Sequence, residues 1–149
     1  ITMNTVDINN PATLEECTKN VPYFSFENLE TKAKCVKVYD GDTITVVFDT
    51  FGTFRKHHIR VDKIDTPELR TKDAREKELA IKARDFLREK ILDKIIMLKC
   101  GKSDKYGRIL ALIYIDGVEI NQLMIDKKYA YAYFGGTKSD VFKTKAEST

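Results

Sequence analysis

Carboxylates stand at two places where strand-like segments are interrupted, in the stretches DGDT at 40–43 and DTPE at 65–68. Asp42 opens one such segment and Asp65 closes the next, so an antiparallel hairpin would bring the two side chains together. Two converging carboxylates repel each other unless a cation lies between them. Hard oxygen donors suit Ca²⁺ or Mg²⁺. The spacing therefore predicts a site for a divalent cation.

Local roles compete with this interpretation. Asp and Gly favour turns, so residues 40–42 are also expected to form a hairpin turn, which does not exclude a second role for the carboxylates. Thr66 is a good helix N-cap, with Pro67 at the first helical position and Glu68 complementing the helix dipole. The sequence leaves open whether 66–68 begins a helix or serves the cation site.

Two arginines supply positive charge at the ends of other strand-like segments. Arg60 lies before DTPE, and Arg108 follows the turn SDKYG at 103–107. A guanidinium group grips two phosphate oxygens and stays charged, so the pair could face one phosphate. The alternatives are a solvated strand residue for Arg60 and, before Arg108, a charged hairpin turn with Gly107 at positive φ.

Hydrophobic periodicity predicts the elements that would position these residues. Alternation indicates strands over 33–38, 43–48, 54–61, 94–100 and 108–115. Helical spacing indicates one helix of about four turns and a second over 118–127. The apolar face of the first helix consists of Leu79, Ala83, Phe86, Leu87 and Ile91. This order is mainly β with α (α+β) and suits a five-stranded barrel with two or three packed helices.

The segments at either end of these elements are less regular. We expect an N-terminal extension over 1–32, a barrel domain over 33–136 and a tail over 137–149. A short helix is predicted near the start, with Asn10 as N-cap and Pro11 at its first position. This extension could dock on the barrel or merely link it to something upstream.

Composition sets outer bounds on the function. A chain of 149 residues fits one domain, and a net charge of +3 permits a polyanionic partner without demanding one. Three widely spaced cysteines suggest reduced thiols, which favours an intracellular location. No apolar run of about 18 residues occurs, so no membrane contact is expected from this segment. A monomer is the default, and because the chain begins at Ile1, an upstream targeting or anchoring segment stays open.

The ordered set of motifs resembles the staphylococcal nuclease (thermonuclease) family. The motifs are DGDT, an arginine five positions before DTPE, and DKYGR followed by an apolar strand and Asp-Gly. The similarity runs from about 33 to 134. It implies an OB-fold barrel and a Ca²⁺-dependent endonuclease that hydrolyses single-stranded and double-stranded DNA and RNA. The products implied are 3′-phosphate ends.

The resemblance also implies roles for the acidic residues. Asp42 and Asp65 match the calcium carboxylates, and Thr66 matches the residue whose main-chain carbonyl joins them. Asp40 matches an acidic residue near the metal. Glu68 matches the glutamate that orients or deprotonates the attacking water.

Substrate contacts are implied in the same way. Arg60 and Arg108 match the two arginines on the scissile phosphate. Lys105 and Tyr106 match residues that hold the terminal phosphate side of the nucleotide.

Two tyrosines and two histidines of the sequence are expected to have different roles. Tyr131 and Tyr133 alternate in an extended stretch, where either ring could stack on a base or pack into the core. His57 and His58 are adjacent in a predicted strand and would point to opposite faces. We interpret both histidines as structural.

Three features depart from the family pattern. Lys128 stands where a glycine commonly closes the second helix, so that helix end is expected to differ. The loop after Glu68 is shorter, and Glu76 replaces a frequent glycine at the helix start. Only residues 138–149 remain for the family's third helix.

A catalytically inactive OB-fold barrel that binds nucleic acid or protein is the alternative function.

Overall fold

The computed structural model describes residues 10–133 of the chain. Within that range the strands are β1 (Glu30–Val38), β2 (Thr43–Thr50), β3 (Thr53–Val61), β4 (Ile64–Asp65), β5 (Ile95–Ser103), β6 (Ile109–Ile115), β7 (Val118–Glu119) and β8 (Tyr131–Ala132). The helical elements are α1 (Ala74–Ile91), α2 (Ile120–Asp126) and a 3-10 turn at Leu14–Glu16. None of the helices in this range has the length and apolar character needed to cross a membrane.

Five of these strands close into a barrel. They lie in the order β3-β2-β1-β5-β6, and β3 returns to pair with β6. The closing pair is parallel, with Ile59 opposite Ile109, whereas the other four neighbouring pairs are antiparallel. Together with the two α-helices this is an α+β, five-stranded OB-fold barrel, which confirms the fold predicted from the sequence.

Alternation along the strands fills the barrel. On β2 the side chains of Ile44, Val46 and Phe48 are buried, and β3 and β6 contribute Ile59 and Ile113 in the same way. Successive side chains on a strand point to opposite faces, so the residues between these point outward. The barrel therefore combines an apolar core with an outer surface of polar side chains.

Helix α1 packs against the barrel through one face. Ala80, Ala83, Leu87 and Ile91 are buried, at spacings of three and four residues that place them on one side of a helix. The Arg88 guanidinium donates two hydrogen bonds to the carbonyl of Val38, at 3.1 and 3.3 Å. These contacts bind α1 to the end of β1, next to the turn that leads into β2.

No helix begins at Thr66, which was one of the two alternatives that the sequence left open. Helix α1 begins at Ala74, and the Asp73 carboxylate accepts two backbone N–H groups of its first turn at 2.9 and 3.2 Å. The Thr66 hydroxyl instead donates to Asp42, 24 residues earlier in the chain. The Thr66 hydroxyl group therefore makes a tertiary contact and does not cap a helix.

Two other helix boundaries also differ. The second helix starts at Ile120 because Val118 and Glu119 pair with the end of β6 as β7. Near the N-terminus the helix predicted from Asn10 is replaced by the 3-10 turn, which Thr13 precedes. The predicted tail, 137–149, lies outside the described residues.

Helix α2 is followed by a residue in the left-handed conformation, but this residue is a lysine where a glycine is common. Lys128 has φ of 65°, the left-handed conformation that glycine commonly adopts after a helix. The next backbone N–H, from Tyr129, donates to the carbonyl of Met124 at 2.9 Å. The helix therefore ends as the family pattern does, with a lysine in a conformation that costs about 1–2 kcal/mol for a non-glycine residue.

The segment before β1 docks on the barrel. The ring of Phe26 lies edge-on to Phe48 at 5.6 Å and to His57 at 5.2 Å between centroids. The backbone N–H of Asn28 donates to the carbonyl of Cys100 on β5 at 2.9 Å. Of the two alternatives for this part of the extension, docking is therefore the one observed.

Candidate active site

Two buried carboxylates meet at one end of the barrel. Asp42, just before β2, is 2% exposed, and Asp65, at the end of β4, is 1% exposed. Both lie within 4 Å of the same Nη2 atom of Arg60, at 3.5 and 3.7 Å. Thr66 joins them, since its hydroxyl donates to Asp42 Oδ2 and its backbone N–H donates to Asp65 Oδ1, each at 3.1 Å.

The turn before β2 presents Asp42 in this position. Asp40 is also buried and accepts the Asp42 backbone N–H at 3.0 Å. A Cβ atom at Gly41 would lie 2.9 Å from Thr66 Cγ2 and 3.0 Å from the Cβ of Ala83 on α1. Only glycine lets the turn lie this close to both neighbours, so Gly41 is needed here for space.

Arg60 is fixed by backbone as well as by carboxylates. Its Nη1 donates to the carbonyl of Val61, and its Nη2 donates to the carbonyl of Ile64 at 2.9 Å. The side chain is only 11% exposed. These contacts hold the guanidinium group against the two carboxylates at the junction of β3 and β4, and they offset the cost of burying its charge.

Arg108, just before β6, is linked to Asp42 through Thr43. Its Nε donates to Asp104 Oδ2 at 2.7 Å, and its Nη1 donates to Thr43 Oγ1 at 3.0 Å. The Thr43 hydroxyl in turn donates to Asp42 Oδ1 at 3.1 Å. Thr43 also pairs with Arg60 across β2 and β3. The structure thus brings Arg60 and Arg108 next to the same threonine.

Asp104 holds Arg108 from within the β5–β6 turn. Its Oδ1 accepts the backbone N–H groups of Tyr106 and Arg108, each at 2.9 Å. Burial opposes ionisation of this carboxyl, but the hydrogen bonds from Arg108 and Tyr106 outweigh it, so the pKa of Asp104 is lowered from 3.8. At neutral pH the aspartate is ionised and clamps the guanidinium.

Glu68 lies three residues beyond Asp65 in an exposed loop. Its backbone N–H donates to Glu76 Oε1 at 3.1 Å. The other oxygen of Glu76 accepts the hydroxyl of Thr71 at 3.0 Å. The side chain of Glu76, in the first turn of α1, therefore binds the loop that carries Glu68.

Lys105 and Tyr106 project from the β5–β6 turn beside Arg108. The Tyr106 ring is 72% exposed. Lys105 Nζ lies 5.1 Å and Arg108 Cζ 5.5 Å from the centroid of that ring. The turn thus places a cation and an aromatic face next to the arginine.

Tyr131, in β8, and Tyr133, just after it, differ in position. Tyr131 pairs with Asp65 across β4 and β8, and its side chain lines a shallow groove. The other residues lining this groove are Pro67, Leu79, Lys82, Lys128 and Tyr129. Tyr133 lies two residues farther on, where its backbone N–H donates to the carbonyl of Lys63 at 2.9 Å. Tyr131 is therefore the tyrosine adjacent to the buried carboxylates.

The histidines are part of the barrel wall. His57 stacks on Phe48, with centroids 4.1 Å apart, and its Nε2 lies 2.8 Å from Thr50 Oγ1. Burial lowers the pKa of His57 from 6.5. His58 is exposed on the outer side of β3, with its Nδ1 3.5 Å from Thr45 Oγ1.

The donor set fits a hard divalent cation with an incomplete protein shell. Residues 10–133 contain no group of three or more His, Cys, Asp or Glu side chains arranged to hold a metal. Asp42 and Asp65 nevertheless converge as two buried carboxylates on one cationic nitrogen. A cation there would take its remaining ligands from main-chain oxygen and water, as Ca²⁺ and Mg²⁺ do in proteins.

Comparison with known proteins shows the family of the chain. Residues 58–148 match the family model described as staphylococcal nuclease homologue, which is more than half of the chain. The chain belongs to the staphylococcal nuclease family. The match includes β4, the β5–β6 turn and both arginines, while Asp40 and Asp42 precede it.

Individual relatives agree with the family match. An uncharacterized protein of Bacillus anthracis is 35% identical over 107 residues, covering 69% of this chain and 48% of the relative. The endonuclease YncB of Bacillus subtilis is 29% identical over 108 residues, covering 68% and 49%. The thermonuclease of Staphylococcus hyicus is 29% identical over 107 residues, covering 70% and 61%. The chain therefore spans about half to three fifths of the length of these relatives.

Two residues of this family member escaped sequence reasoning. Thr43 connects Arg108 to Asp42, but a hydroxyl at the start of a strand gives no local signal of such a role. In the sequence, Glu76 is only a departure from a family glycine, and its type alone indicates no function. The spacing Asp73-x-x-Glu76 is typical of a capping box and could have shown that Glu76 reaches backward along the chain.

Proposed function

We propose that this chain is a calcium-dependent nuclease that hydrolyses phosphodiester bonds of DNA and RNA with little sequence preference and leaves 3′-phosphate ends. The observation that supports it most is the meeting of two arginines with two buried carboxylates at the ends of β3, β4 and β6 and the start of β2. Relatives described as an endonuclease and a thermonuclease agree with this proposal.

The cation would be held by the buried acidic residues. Asp42 and Asp65 supply carboxylates, Thr66 supplies its main-chain carbonyl, and Asp40 adds negative charge nearby. Such a ligand set leaves several positions to water, which suits the larger and more flexible shell of Ca²⁺. When bound, the ion supplies Lewis acidity and neutralises charge on the phosphate.

The remaining chemistry belongs to residues of the chain. Glu68 orients a water molecule and accepts its proton as the water oxygen bonds to phosphorus. Arg60 and Arg108 donate hydrogen bonds to the non-bridging oxygens, where negative charge develops. The bond to the 5′-oxygen breaks, and that oxygen takes a proton from solvent. Asp104 and Thr43 keep Arg108 aimed at the phosphate.

The substrate would extend on either side of the arginines. Lys105 and Tyr106 would hold the terminal phosphate side of the nucleotide, and the ring of Tyr131 or Tyr133 would contact a base. We assign this activity to residues 33–136 acting as a monomer. The flanking segments 1–32 and 137–149 have no assigned catalytic role.

The test is cleavage of single-stranded DNA and of RNA by the purified chain with Ca²⁺, with Mg²⁺ and with excess chelator. Glu68→Gln keeps the size of the side chain and removes its ability to accept the proton. We expect it to lose at least about 100-fold in rate, the contribution typical of a general base. Because Glu68 is exposed, the circular dichroism spectrum and melting temperature of the Glu68→Gln variant should match those of the wild type.

Glu78→Gln is the matched control, since this exposed glutamate on α1 pairs only with solvent-exposed Lys82 in the described residues. It should cleave at the wild-type rate. If the folded wild type cleaves neither substrate in any of these conditions, the nuclease proposal is wrong and the non-catalytic barrel replaces it. Cleavage by Glu68→Gln at the wild-type rate would refute the role of Glu68.

A further inference from the structure

The turn between β2 and β3 holds a phenylalanine in a strained conformation. Thr50 pairs with Thr53, which leaves a two-residue turn made of Phe51 and Gly52. Their φ angles are 56° and 89°. Hairpin turns with positive φ at both positions favour Asn-Gly or Asp-Gly, because larger side chains are disfavoured in the left-handed conformation. Phe51 therefore strains a turn that an asparagine would fit.

Packing within the described residues does not offset this strain. Phe51 is 85% exposed. Its ring contacts the ring of Phe24 at 5.8 Å between centroids, and Phe24 is itself exposed. Among residues 10–133, six residues other than glycine have positive φ, and Phe51 is the aromatic one. A residue that breaks a local rule without a gain in packing indicates a function.

Further exposed rings surround the same turn. Phe54 on β3 is exposed and pairs with Asp49 on the outer face of the hairpin. Phe24 lies on the opposite face, because it contacts Phe26 edge-on at 4.8 Å and Phe26 packs against the core residue Phe48. The hairpin thus carries aromatic rings on both faces and at its end. Exposed apolar groups gathered in one place mark a surface that a partner covers.

Positive charge lies directly behind these rings. Arg55 and Lys56 are exposed, and because side chains alternate along a strand, one lies on each face of the hairpin. Within residues 10–133 neither of them makes an ion pair. Residues 48–56 include one acidic side chain, Asp49, whose Oδ1 accepts the N–H of Gly52 at 2.7 Å. The end of the hairpin is therefore apolar at its tip and cationic behind it.

The turn lies far from the candidate active site. Strand β2 begins at Thr43, next to Asp42, and ends at Thr50, next to the turn. At about 3.4 Å per residue, the turn lies roughly 20 Å from the buried carboxylates. A contact made by the turn would leave the carboxylates and the two arginines open to solvent.

From this arrangement we infer that the aromatic tip of the β2–β3 hairpin, defined by Phe24, Phe51 and Phe54, inserts into the surface of a bilayer that contains anionic phospholipid. A bilayer surrounds an inserted tip and so buries rings on both of its faces, whereas a flat partner surface covers one face. Arg55 and Lys56 then lie at the level of the anionic headgroups. A nucleic-acid strand fits less well, because rings on opposite faces offer no row on which successive bases could stack.

The inferred contact is with the surface of a membrane and involves no spanning segment. The expectation of no membrane contact came from the lack of a long apolar run, and it applied to spanning segments. The inference is independent of the proposed nuclease function, since it uses none of the residues assigned to catalysis, to metal binding or to the substrate.

A single tryptophan tests the insertion, because the chain has no tryptophan of its own. Phe51→Trp is mixed with vesicles of phosphatidylcholine and phosphatidylserine. Its fluorescence emission should shift to shorter wavelength and should be quenched by lipids with brominated tails. Val118→Trp, at an exposed apolar position on β7, is the matched control and should show neither change. Unshifted emission from Phe51→Trp, or an equal shift in the control, would overturn the inference.

Phe51→Asn separates binding from folding. Asparagine suits this turn, so the variant should be at least as stable as the wild type in urea denaturation. The double variant Phe51→Asn/Phe54→Thr should bind the mixed vesicles about tenfold more weakly in a sedimentation assay, because buried apolar area drives partitioning. The wild type should bind vesicles of phosphatidylcholine alone more weakly than mixed vesicles. Wild-type binding by the double variant, or a marked loss of stability in Phe51→Asn, would overturn the inference.

Two measurements without vesicles address other partners. Sedimentation velocity would reveal self-association through the tip, if the wild type associates and Phe51→Asn/Phe54→Thr does not. Fluorescence anisotropy with labelled single-stranded DNA would reveal a nucleic-acid contact, if the same variant binds more weakly. Either result would overturn the inference. A wild type that cleaves no nucleic acid but binds vesicles as expected would refute the nuclease and leave this inference standing.

Discussion

At the scale of single residues, two threonines organise the charges of the site. Thr43 donates to Asp42 Oδ1 and Thr66 donates to Asp42 Oδ2, so neutral hydroxyls fix both oxygens of this buried carboxylate. Buried charges are tolerated when they are paired and hydrogen-bonded. Arg60 completes the set at 3.5 Å. The carboxylate is therefore held rigidly enough to serve as a ligand with one orientation.

Glu76 is expected to position Glu68. Glu76→Ala removes the acceptors for the Glu68 N–H and the Thr71 hydroxyl, which frees the loop after Asp65. We expect kcat for DNA cleavage to fall about tenfold with KM nearly unchanged, because misplacing a catalytic group by a small distance is costly. The free energy of unfolding should fall by about 1–3 kcal/mol for the lost charged hydrogen bonds. Steady-state kinetics and urea denaturation measure the two effects.

The controls for Glu76 separate position from helix stability. Glu76→Gln retains one oxygen acceptor and should recover much of the rate. Asp73→Ala removes the N-cap of the same helix turn without touching the Glu68 N–H, so it should cost stability more than kcat. Equal kcat losses in Asp73→Ala and Glu76→Ala would contradict a specific role for Glu76.

The charged residues were predictable from the sequence because their chemistry is in their side chains. Asp42, Asp65 and Arg60 could be selected from residue type and from their places at strand ends. Thr43 could not, because its role depends on the register that sets β2 against β3 and on the approach of β6. Whether the selected residues act as proposed stays a prediction.

At the scale of elements, the turn before β2 and helix α1 depend on each other. Gly41→Ala would place a methyl group 2.9 Å from Thr66 Cγ2 and 3.0 Å from the Ala83 Cβ. Since backbone or helix must shift to accept it, we expect a loss of about 1–3 kcal/mol in the free energy of unfolding. Cleavage should fall as well, because the shift moves Asp42 away from Thr66. Urea denaturation and the initial rate of cleavage provide the readouts.

A double-mutant cycle tests the cause of that loss. Ala83→Gly removes one of the three atoms nearest the new methyl group, the other two being in Thr66, and by itself costs about 1 kcal/mol in a helix interior. In the double variant the two losses should be less than additive, since the cavity at Ala83 accepts the new methyl group. Strict additivity would show that Gly41 is needed for another reason.

Element boundaries were harder to predict than the elements. The strands and α1 follow from alternation and helical spacing, which are set by the residues themselves. The sequence leaves open whether Thr66 caps a helix, because only the distant Asp42, which accepts the Thr66 hydroxyl, takes that side chain away from the capping role that Asp73 fills. The end of α2 has the geometry of the glycine it lacks, because contacts before and after Lys128 hold it in the left-handed conformation.

At the scale of the whole molecule, barrel closure joins residues that are far apart in the chain. The parallel pairing of β3 with β6 sets Arg60 opposite Leu110, two residues after Arg108. The antiparallel pairing of β2 with β3 sets Arg60 opposite Thr43. A five-stranded barrel thus brings three sequence-distant segments to one end, which no local pattern specifies.

The same barrel makes stability depend on the protonation of His57. Its ring contacts both Phe26 and Phe48, and burial lowers its pKa from 6.5. In the unfolded chain His57 therefore binds a proton at a higher pH than in the folded protein. The free energy of unfolding should fall as pH drops below about 6.5, and the loss should stop once the folded ring is also protonated.

His57→Phe keeps the stacked ring and removes this titration. It should be about 1 kcal/mol less stable than wild type at pH 7.5, because the contact with Thr50 is lost. That difference should shrink as pH falls through 6.5, since only the wild type is destabilised by protonating residue 57. His58→Gln changes the neighbouring exposed ring. In urea denaturation its free energy of unfolding should fall at low pH as much as that of the wild type. A constant gap between wild type and His57→Phe from pH 7.5 to pH 5 would show that Phe26 and Phe48 do not disfavour the charged ring, and that the docked segment tolerates it.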